Sequence, residues 1–334
     1  MVSGKKISLI IPQGRRDITP CVESINSQLL DKRLFEVIVV KHQGIEQTFD
    51  FPFVRTITVE NNSTTLKRNI GAKNSQSEIL CFIDDDVLLP ELFLSKCVDV
   101  FEKISVDIIG GPNLGFPNQS FSEYLSDILM KYSAGNGIRK KFIIGDSEQS
   151  FNKEIKTKDV SKNLSTCNLL VSKTFFLNFG GFDNRLGYGG EDTEFLYRAE
   201  KSGAKLLYDP AIFLWHQRRS FPIAHTKQLF TWGKNNGKLL LFHPSLILRS
   251  DFIFPPLVFF LTVFLFLFLP FSVLPILIAS GFFSIFFATL LESKSIKDSF
   301  FFTTCFPIHF LSYTSGLMCS YCRLPFLRNK FRKV

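Results

Sequence analysis

The sequence predicts an α/β fold with a mostly parallel sheet, helices on both of its faces, and apolar helices at the C-terminal end. Short runs of β-branched residues alternate with helical stretches at the spacing of βαβ units. These runs do not alternate apolar with polar residues, which is typical of strands buried on both faces. With 334 residues, the chain has room for one sizeable α/β domain and a separate region after residue 251, where the sequence becomes strongly apolar.

The predicted elements begin with a strand at 6–11, a polar turn, and a helix that reaches about residue 30. Residues 61–64 supply N-cap candidates for a second helix. Over 131–163 few apolar periodicities occur, which indicates an irregular lid or acceptor loop. The remaining predicted elements are strands at 35–40, 54–59, 79–83, 106–109, 166–171, 205–208 and 211–215, and helices over 90–105 and 193–202.

Three consecutive carboxylates, Asp84, Asp85 and Asp86, directly follow the apolar run 79–83. Ligands of open α/β sheets bind outside the carboxyl ends of the strands. Adjacent acids repel one another unless a cation or hydrogen bonds compensate their charge. Mg2+ or Mn2+ would compensate it, because these ions prefer oxygen ligands and also hold substrate phosphates. The alternative is a solvated acidic turn that caps the next helix.

Two further positions carry candidate ligand-binding side chains. Arg68 and Asn69 lie early in the second helix and could hold a phosphate or brace the acidic cluster. The alternative is that Lys67 and Arg68 only cover a solvent-facing surface. His216 follows a predicted strand and precedes two arginines, which makes it a candidate metal or pyrophosphate contact. A lone histidine with a structural role is the alternative.

A second acidic motif, Glu191 and Asp192, follows Gly189 and Gly190 and opens a predicted helix. Paired glycines allow the backbone to come close to a ligand. Acids at a helix N-terminus are also favoured by the helix dipole, so ordinary capping is the alternative.

The formal charge of +9 comes without a basic run that contains aromatic residues, and no nucleic-acid-binding signature is present. We therefore expect no nucleic-acid partner, and the charge suits an anionic membrane surface and a phosphate-bearing substrate. Seven scattered cysteines do not form a disulfide framework. The first apolar run is too short for a signal peptide, so we expect the globular part to be cytoplasmic.

The C-terminal part of the sequence predicts membrane association. Residues 226–242 mix aromatic side chains with lysines, which suits a helix in the membrane interface, a soluble core helix being the alternative. Three apolar spans follow at 252–269, 271–291 and 300–322, each near the length that crosses about 30 Å of hydrocarbon. Because basic residues flank both ends of this region, an odd number of crossings conflicts with the positive-inside rule. We therefore expect two to three spans.

The order and spacing of five stretches resemble the inverting glycosyltransferase family 2. They are the strand that ends in Pro12, residues 66–71, residues 82–86, residues 180–183 and the Gly189–Asp192 motif. The resemblance is strongest to bacterial members with C-terminal membrane helices that build exopolysaccharide, capsule or O-antigen. It covers about residues 5–245 and implies a GT-A fold, with a Rossmann-like nucleotide-binding half and an acceptor half on one sheet. The expected domains are a GT-A domain at 1–220, an interfacial segment at 221–250, and a membrane domain with a basic tail at 251–334.

The resemblance also implies roles for individual residues. Asp84 and Asp86 match the family's DxD motif, and Asp192 matches its catalytic base. Two positions depart from the family pattern, because Lys41 follows the second strand where members carry acids and Gln13 replaces an aromatic residue. The nucleotide base is therefore left open. The implied site residues are Asp192 and Glu191 for catalysis, Pro12, Arg68, Asn69, Asp84 and Asp85 for the donor, Asp84, Asp86 and His216 for Mg2+ or Mn2+, and Gly189, Gly190 and Glu191 for the acceptor.

The activity that the resemblance implies is metal-dependent, inverting transfer of one sugar from a nucleotide-sugar, expected to be a UDP-sugar, to a hydroxyl group. The expected acceptor is lipid-linked or a polysaccharide, in cell-surface glycan synthesis. The expected location is the inner (cytoplasmic) membrane, with several crossings and a cytoplasmic catalytic domain. Two alternatives stay open: a non-catalytic membrane scaffold that keeps the fold, and a metal-dependent phosphotransferase or nucleotidyltransferase.

Overall fold

The structure is a computed structural model that describes residues 6–15, 17–132 and 160–331, with side chains to residue 324. The chain divides into two compact units, Met1–Asn118 with Ala134–Gln217, and Gln119–Ser133 with Arg218–Val334. Most of the lid or acceptor loop predicted over 131–163 lies outside the described residues. At the end of that segment, Val160–Asn163 forms a short 3-10 helix rather than irregular chain.

The first unit contains a mostly parallel sheet, as predicted. Ten strands are described in it: β1 (Ile7–Gln13), β2 (Phe35–His42), β3 (Val54–Val59), β4 (Ile79–Ile83), β5 (Val87–Leu88), β6 (Ile108–Gly110), β7 (Asn113–Leu114), β8 (Asn168–Ser172), β9 (Leu206–Tyr208) and β10 (Leu214–His216). Seven of them form one sheet in the order β3-β2-β1-β4-β8-β6-β9, in which only β8 runs antiparallel to its neighbours. A small second sheet has the order β5-β10-β7.

Helices cover both faces of the seven-stranded sheet. Leu9 of β1 points to one face, where it shares a core with Val22, and Ile10 points to the other, where it shares a core with Phe195. Successive residues of a strand face opposite sides of the sheet. A strand in which every position is apolar is therefore buried on both faces. The α-helices of the described chain are α1 (Thr19–Asn26), α2 (Thr64–Asn74), α3 (Phe93–Lys103), α4 (Phe121–Tyr132), α5 (Lys173–Asn178), α6 (Glu191–Lys201), α7 (Ile223–Lys238), α8 (Ser250–Phe268), α9 (Leu274–Ser293) and α10 (Ile296–Phe331).

The strand β3 differs from the prediction in its burial. The sequence places it among strands buried on both faces, but none of its six side chains is fully buried. The reason is its position, because β3 lies at one edge of the sheet and, among the described strands, pairs only with β2. The β-branched residues of β3 therefore predicted the strand correctly. The prediction that both of its faces are buried was wrong.

The second unit is helical, and α7 packs closely against α10. The buried residues of α7, namely His225, Leu229, Gly233 and Gly237, recur every four positions and so lie on one face. A Cβ added at Gly233 would lie 2.1 Å from the carbonyl oxygen of Tyr313. The two backbones are therefore in direct contact, and only glycine permits this approach.

Two helices of the second unit, α8 and α9, are long and apolar enough to cross a membrane, each with a mean hydropathy of 2.2. They correspond to the first two predicted spans, and within the described residues no other helix meets this length and composition. The third predicted span lies in α10, where Phe302 packs with Ile128 and Leu129 of α4. One face of this stretch is therefore covered by protein.

Candidate active site

The three aspartates lie at the carboxyl end of β4, as the sequence predicts. All five residues of β4 are buried, and the strand ends at Ile83, so the acids leave the core together. β4 runs parallel to β1, whose carboxyl end at Gln13 lies at the same edge of the sheet. The acidic motif thus stands at the place where open α/β sheets bind their ligands.

Asp84, Asp86 and His216 form a cluster that could hold a metal ion. Their ligand atoms lie within 4.8 Å of one another. His216 ends β10, which pairs with β5 just after the aspartates, and its Nε2 lies 3.1 Å from Asp86 Oδ1 and 3.6 Å from Asp84 Oδ2. Two carboxylate oxygens and one imidazole nitrogen fit a divalent ion such as Mn2+. Sequence reasoning proposed these three residues together, and the fold brings them together.

The electrostatics of this cluster reflect its dense negative charge. Burial alone would lower the pKa of His216, but the carboxylates of Asp86 and Asp84 outweigh it and raise that pKa to about 9. A positive charge at this position is therefore strongly favoured, whether it comes from an imidazolium or from a bound cation.

Asp85 faces away from this cluster toward the loop after β1. Its Oδ2 accepts hydrogen bonds from the backbone N–H groups of Gly14 at 2.7 Å and Arg15 at 2.8 Å. Burial raises the pKa of Asp85, partly offset by these two bonds. Pro12, the other donor residue predicted in this region, is buried within β1, opposite Val40. Donor binding by Asp85 and Pro12 stays a prediction.

Arg68 links the two acidic motifs. It is 2% exposed, and its Nη1 donates to Glu191 Oε1 at 2.7 Å while its Nη2 donates to Asp84 Oδ1 at 2.6 Å. Lys67 is also buried, and its Nζ donates to the carbonyl oxygen of Gln13 at 2.6 Å. The alternative that these two residues cover a solvent-facing surface is therefore wrong. Donor binding by Arg68 stays a prediction.

Asn69 braces the segment before the second motif. Its Nδ2 donates to the carbonyl oxygen of Phe182 at 2.8 Å and to Asn184 Oδ1 at 2.9 Å. Its Oδ1 accepts the backbone N–H of Phe182 at 3.0 Å. The side-chain amide of Asn69 therefore binds the segment at Phe182 and Asn184. Its contact with the donor stays a prediction.

The second motif stands at the start of α6. Gly189 and Gly190 have φ angles of 81° and 135°, a region that L-residues with a side chain rarely adopt. Glu191 is buried, and burial raises its pKa to about 7 although Arg68 opposes the shift. Asp192 is partly exposed, and its Oδ1 accepts the backbone N–H of Thr193 at 2.8 Å. The catalytic and acceptor roles assigned to these residues remain predictions.

Comparison with known proteins identifies related enzymes. Residues 9–159 match the model for glycosyl transferase family 2, and residues 149–221 match a model described as the N-terminal domain of galactosyltransferase. The glycosyltransferase AglE of Haloferax volcanii is 25% identical over 245 residues, which cover 68% of this chain and 72% of AglE. The chain is a glycosyltransferase, and its residues 9–159 match family 2. An uncharacterized glycosyltransferase of Haemophilus influenzae is 31% identical over 118 residues, or 33% of this chain and 37% of that protein.

Solved structures share the fold of this glycosyltransferase. The mannosyltransferase PcManGT from Pyrobaculum calidifontis, in complex with GDP-Man and Mn2+, matches with a TM-score of 0.58 and 12% identity, over 97% of this chain and 88% of that one. S. aureus TarS 1-349 in complex with UDP matches with a TM-score of 0.50 and 15% identity, over 95% of this chain and 91% of that one. These likenesses confirm the predicted α/β fold.

Sequence reasoning did not identify Arg15 or Gln217, which lie beside the cluster of Asp84, Asp86 and His216. Arg15 Nη2 donates to Asp86 Oδ2 at 2.6 Å, and its Nη1 donates to Gln217 Oε1 at 2.9 Å. Gln217 directly follows His216, so its position next to a predicted ligand was a usable signal. Arg15 lies 71 residues before Asp86 in the chain, and only the pairing of β1 with β4 brings them together.

Proposed function

We propose that this glycosyltransferase moves one sugar from a nucleotide-sugar to an acceptor hydroxyl in a metal-dependent, inverting step. The observation that carries the proposal is the convergence of Asp84, Asp86 and His216 within 4.8 Å at the carboxyl end of the sheet. A divalent ion at these residues would neutralise the charge that develops on the leaving diphosphate. Carboxylates suit Mg2+ and Mn2+, and the imidazole nitrogen favours Mn2+ of the two. The fold relative PcManGT, solved with GDP-Man and Mn2+, supports the same choice.

The protein residues would divide the remaining work between the two acidic motifs. Glu191 is buried against Arg68, so we assign its carboxylate to positioning the start of α6. Asp192 is the more exposed acid of the pair, which suits it to take the proton from the attacking hydroxyl. Gly189 and Gly190 would let the backbone come close to the acceptor. A single displacement with a base on the acceptor side inverts the anomeric centre.

The C-terminal helices support a membrane location and a lipid-linked acceptor. The exposed apolar surfaces of α8 and α9 suit a hydrocarbon environment. We therefore assign residues 251–334 to the inner (cytoplasmic) membrane. We assign residues 221–250 to the membrane interface and residues 1–220 to the catalytic domain. An enzyme held at the membrane meets a lipid-linked acceptor at a high effective concentration. Cell-surface glycan synthesis with a UDP-sugar donor is consistent with this arrangement. UDP and UDP-GlcNAc, which were solved bound to S. aureus TarS, are therefore probes to try first.

The direct test uses full-length protein in detergent with Mn2+, native membrane lipids, and a panel of UDP-, GDP- and dTDP-sugars. We expect one donor to release its nucleoside diphosphate faster when lipids are added, and Asp86→Ala to abolish the release. Asp99→Ala, which removes an exposed acid of α3, is the matched control and should keep the activity. Release of pyrophosphate or of a nucleoside monophosphate would instead identify a nucleotidyl- or phosphotransferase.

A further inference from the structure

Arg15 occupies one side of the Asp86 carboxylate, and the second side faces His216. The loop that carries Arg15 is fixed by Asp85, which accepts the backbone N–H groups of Gly14 and Arg15. From this anchored position the guanidinium reaches Asp86 Oδ2 at 2.6 Å, while His216 Nε2 lies 3.1 Å from Asp86 Oδ1. The same carboxylate therefore serves an arginine and a candidate metal site.

The two arginines at this site differ in their freedom to move. Arg68 is 2% exposed and has a carboxylate at each end of its guanidinium, Asp84 at one and Glu191 at the other. The side chain of Arg15 is 33% exposed, whereas that of Asp86 is 5% exposed. The Nε of Arg15 lies 3.8 Å from Asp85 Oδ1 and has no hydrogen-bond partner among the residues that the structure describes. Arg15 thus lies at the mouth of the site, with a guanidinium that is only partly satisfied.

The balance of charge identifies what Arg15 would do when a cation binds. Among the described residues, Arg15 and Arg68 form ion pairs with the three aspartates, and a divalent ion would add two positive charges. Like charges that share one carboxylate repel each other, so one of the cations has to find another anion. Arg68 is buried between Asp84 and Glu191, whereas Arg15 is partly exposed. A nucleotide-sugar brings the missing anion in its diphosphate, which a guanidinium binds in a fork geometry.

We propose that Arg15 and the divalent cation compete for Asp86, and that the guanidinium released by the cation binds the donor diphosphate. The inference rests on the proposed function, since it names a donor-binding residue of the same site. It makes Arg15 the residue that couples metal binding to donor binding. A lone cation then binds weakly, and a cation together with a nucleoside diphosphate binds well.

The test compares wild type, Arg15→Gln and Arg15→Lys in two titrations that need no turnover. The first measures Mn2+ affinity without nucleotide, from the electron paramagnetic resonance signal of the free ion. We expect Arg15→Gln to bind Mn2+ about three- to tenfold more tightly, because its competitor is gone. The second measures the affinity for UDP, GDP and dTDP at saturating Mn2+. We expect Arg15→Gln to bind the preferred nucleoside diphosphate about tenfold or more weakly than wild type. Arg15→Lys should recover part of both effects.

Arg33→Gln is the matched control, since it removes an exposed arginine whose partner is Asp31. It should leave both affinities unchanged. Unchanged or weaker Mn2+ binding by Arg15→Gln would overturn the competition, and unchanged affinity for the nucleoside diphosphates would overturn the transfer of the guanidinium. A wild type that binds Mn2+ but none of UDP, GDP and dTDP would refute the proposed function instead, and the Mn2+ titration would still decide whether Arg15 competes.

Discussion

Two neighbouring acids, Glu191 and Asp192, have different environments although they are adjacent in the sequence. Glu191 turns inward to Arg68, and Asp192 remains partly exposed at the start of α6. A helix turns by about 100° per residue, so consecutive side chains face different directions. The sequence could place both acids at one helix start. Only the position of Arg68 on α2 decides which of the two acids forms the buried ion pair.

Asp192→Asn should abolish sugar transfer while donor binding is kept. The amide retains the shape and the hydrogen bond to Thr193, but it cannot take a proton from the acceptor. General-base catalysis contributes about 100- to 10,000-fold, and we expect a loss of that size in kcat. The measurement pairs a transfer assay with a titration of nucleoside diphosphate. Wild-type kcat in this variant would remove Asp192 from the mechanism.

The raised pKa of Glu191 predicts how stability depends on pH. Because its pKa of about 7 in the folded chain lies above the ordinary value of 4.5, the stability it contributes is fully present below pH 4.5 and is lost as the pH rises through about 7. Glu191→Gln lacks this loss, which amounts to up to about 3 kcal/mol. Its thermal midpoint relative to wild type should therefore rise between about pH 5 and about pH 8. Parallel curves for the two proteins would contradict the assignment.

At the scale of elements, small residues let α7 and α10 touch. The sequence predicted a helix near 226–242 but gave it a membrane-interface role, which remains a prediction. The spacing of Gly233 and Gly237 by four residues was a usable signal for close helix packing. Its partner could not be predicted, because Gly316 lies far away in sequence and the pairing depends on the tertiary fold.

Gly233→Leu should destabilise the second unit by several kcal/mol. The new Cβ would meet the Tyr313 carbonyl oxygen at 2.1 Å, so the two helices have to move apart. Gly281→Leu in α9 is the matched control, since a Cβ added at Gly281 meets no described atom within 4 Å outside its own helix. Leucine is also a better helix former than glycine. The measurement is the unfolding midpoint in detergent. Equal midpoints for both variants would contradict the packing of α7 on α10.

For the whole molecule, local patterns predicted most of the fold and part of the site. Apolar runs predicted the strands. The acids after β4 predicted which edge of the sheet carries the site, and His216 also lies at that edge. The bridge from Arg68 to both motifs and the position of Arg15 could not be predicted in the same way. Each joins residues from different strands and helices, and these contacts exist only after the sheet has formed.

The same distinction applies to the C-terminal region. Composition alone selected the apolar stretches of α8 and α9, because length and hydropathy are local properties. It could not separate them from the stretch in α10, whose face is covered by α7 and α4. Burial against other helices is a property of the folded chain.

The cation dependence of donor turnover tests the central claim most directly. Protein treated with a chelator and then assayed for nucleoside diphosphate release should be inactive, because no ion remains to neutralise the leaving diphosphate. Adding Mn2+ should restore release in wild type and in Asp99→Ala, but not in Asp86→Ala. Full release in the presence of the chelator, with Asp86→Ala as active as wild type, would show that the Asp84, Asp86 and His216 cluster does not work through a metal.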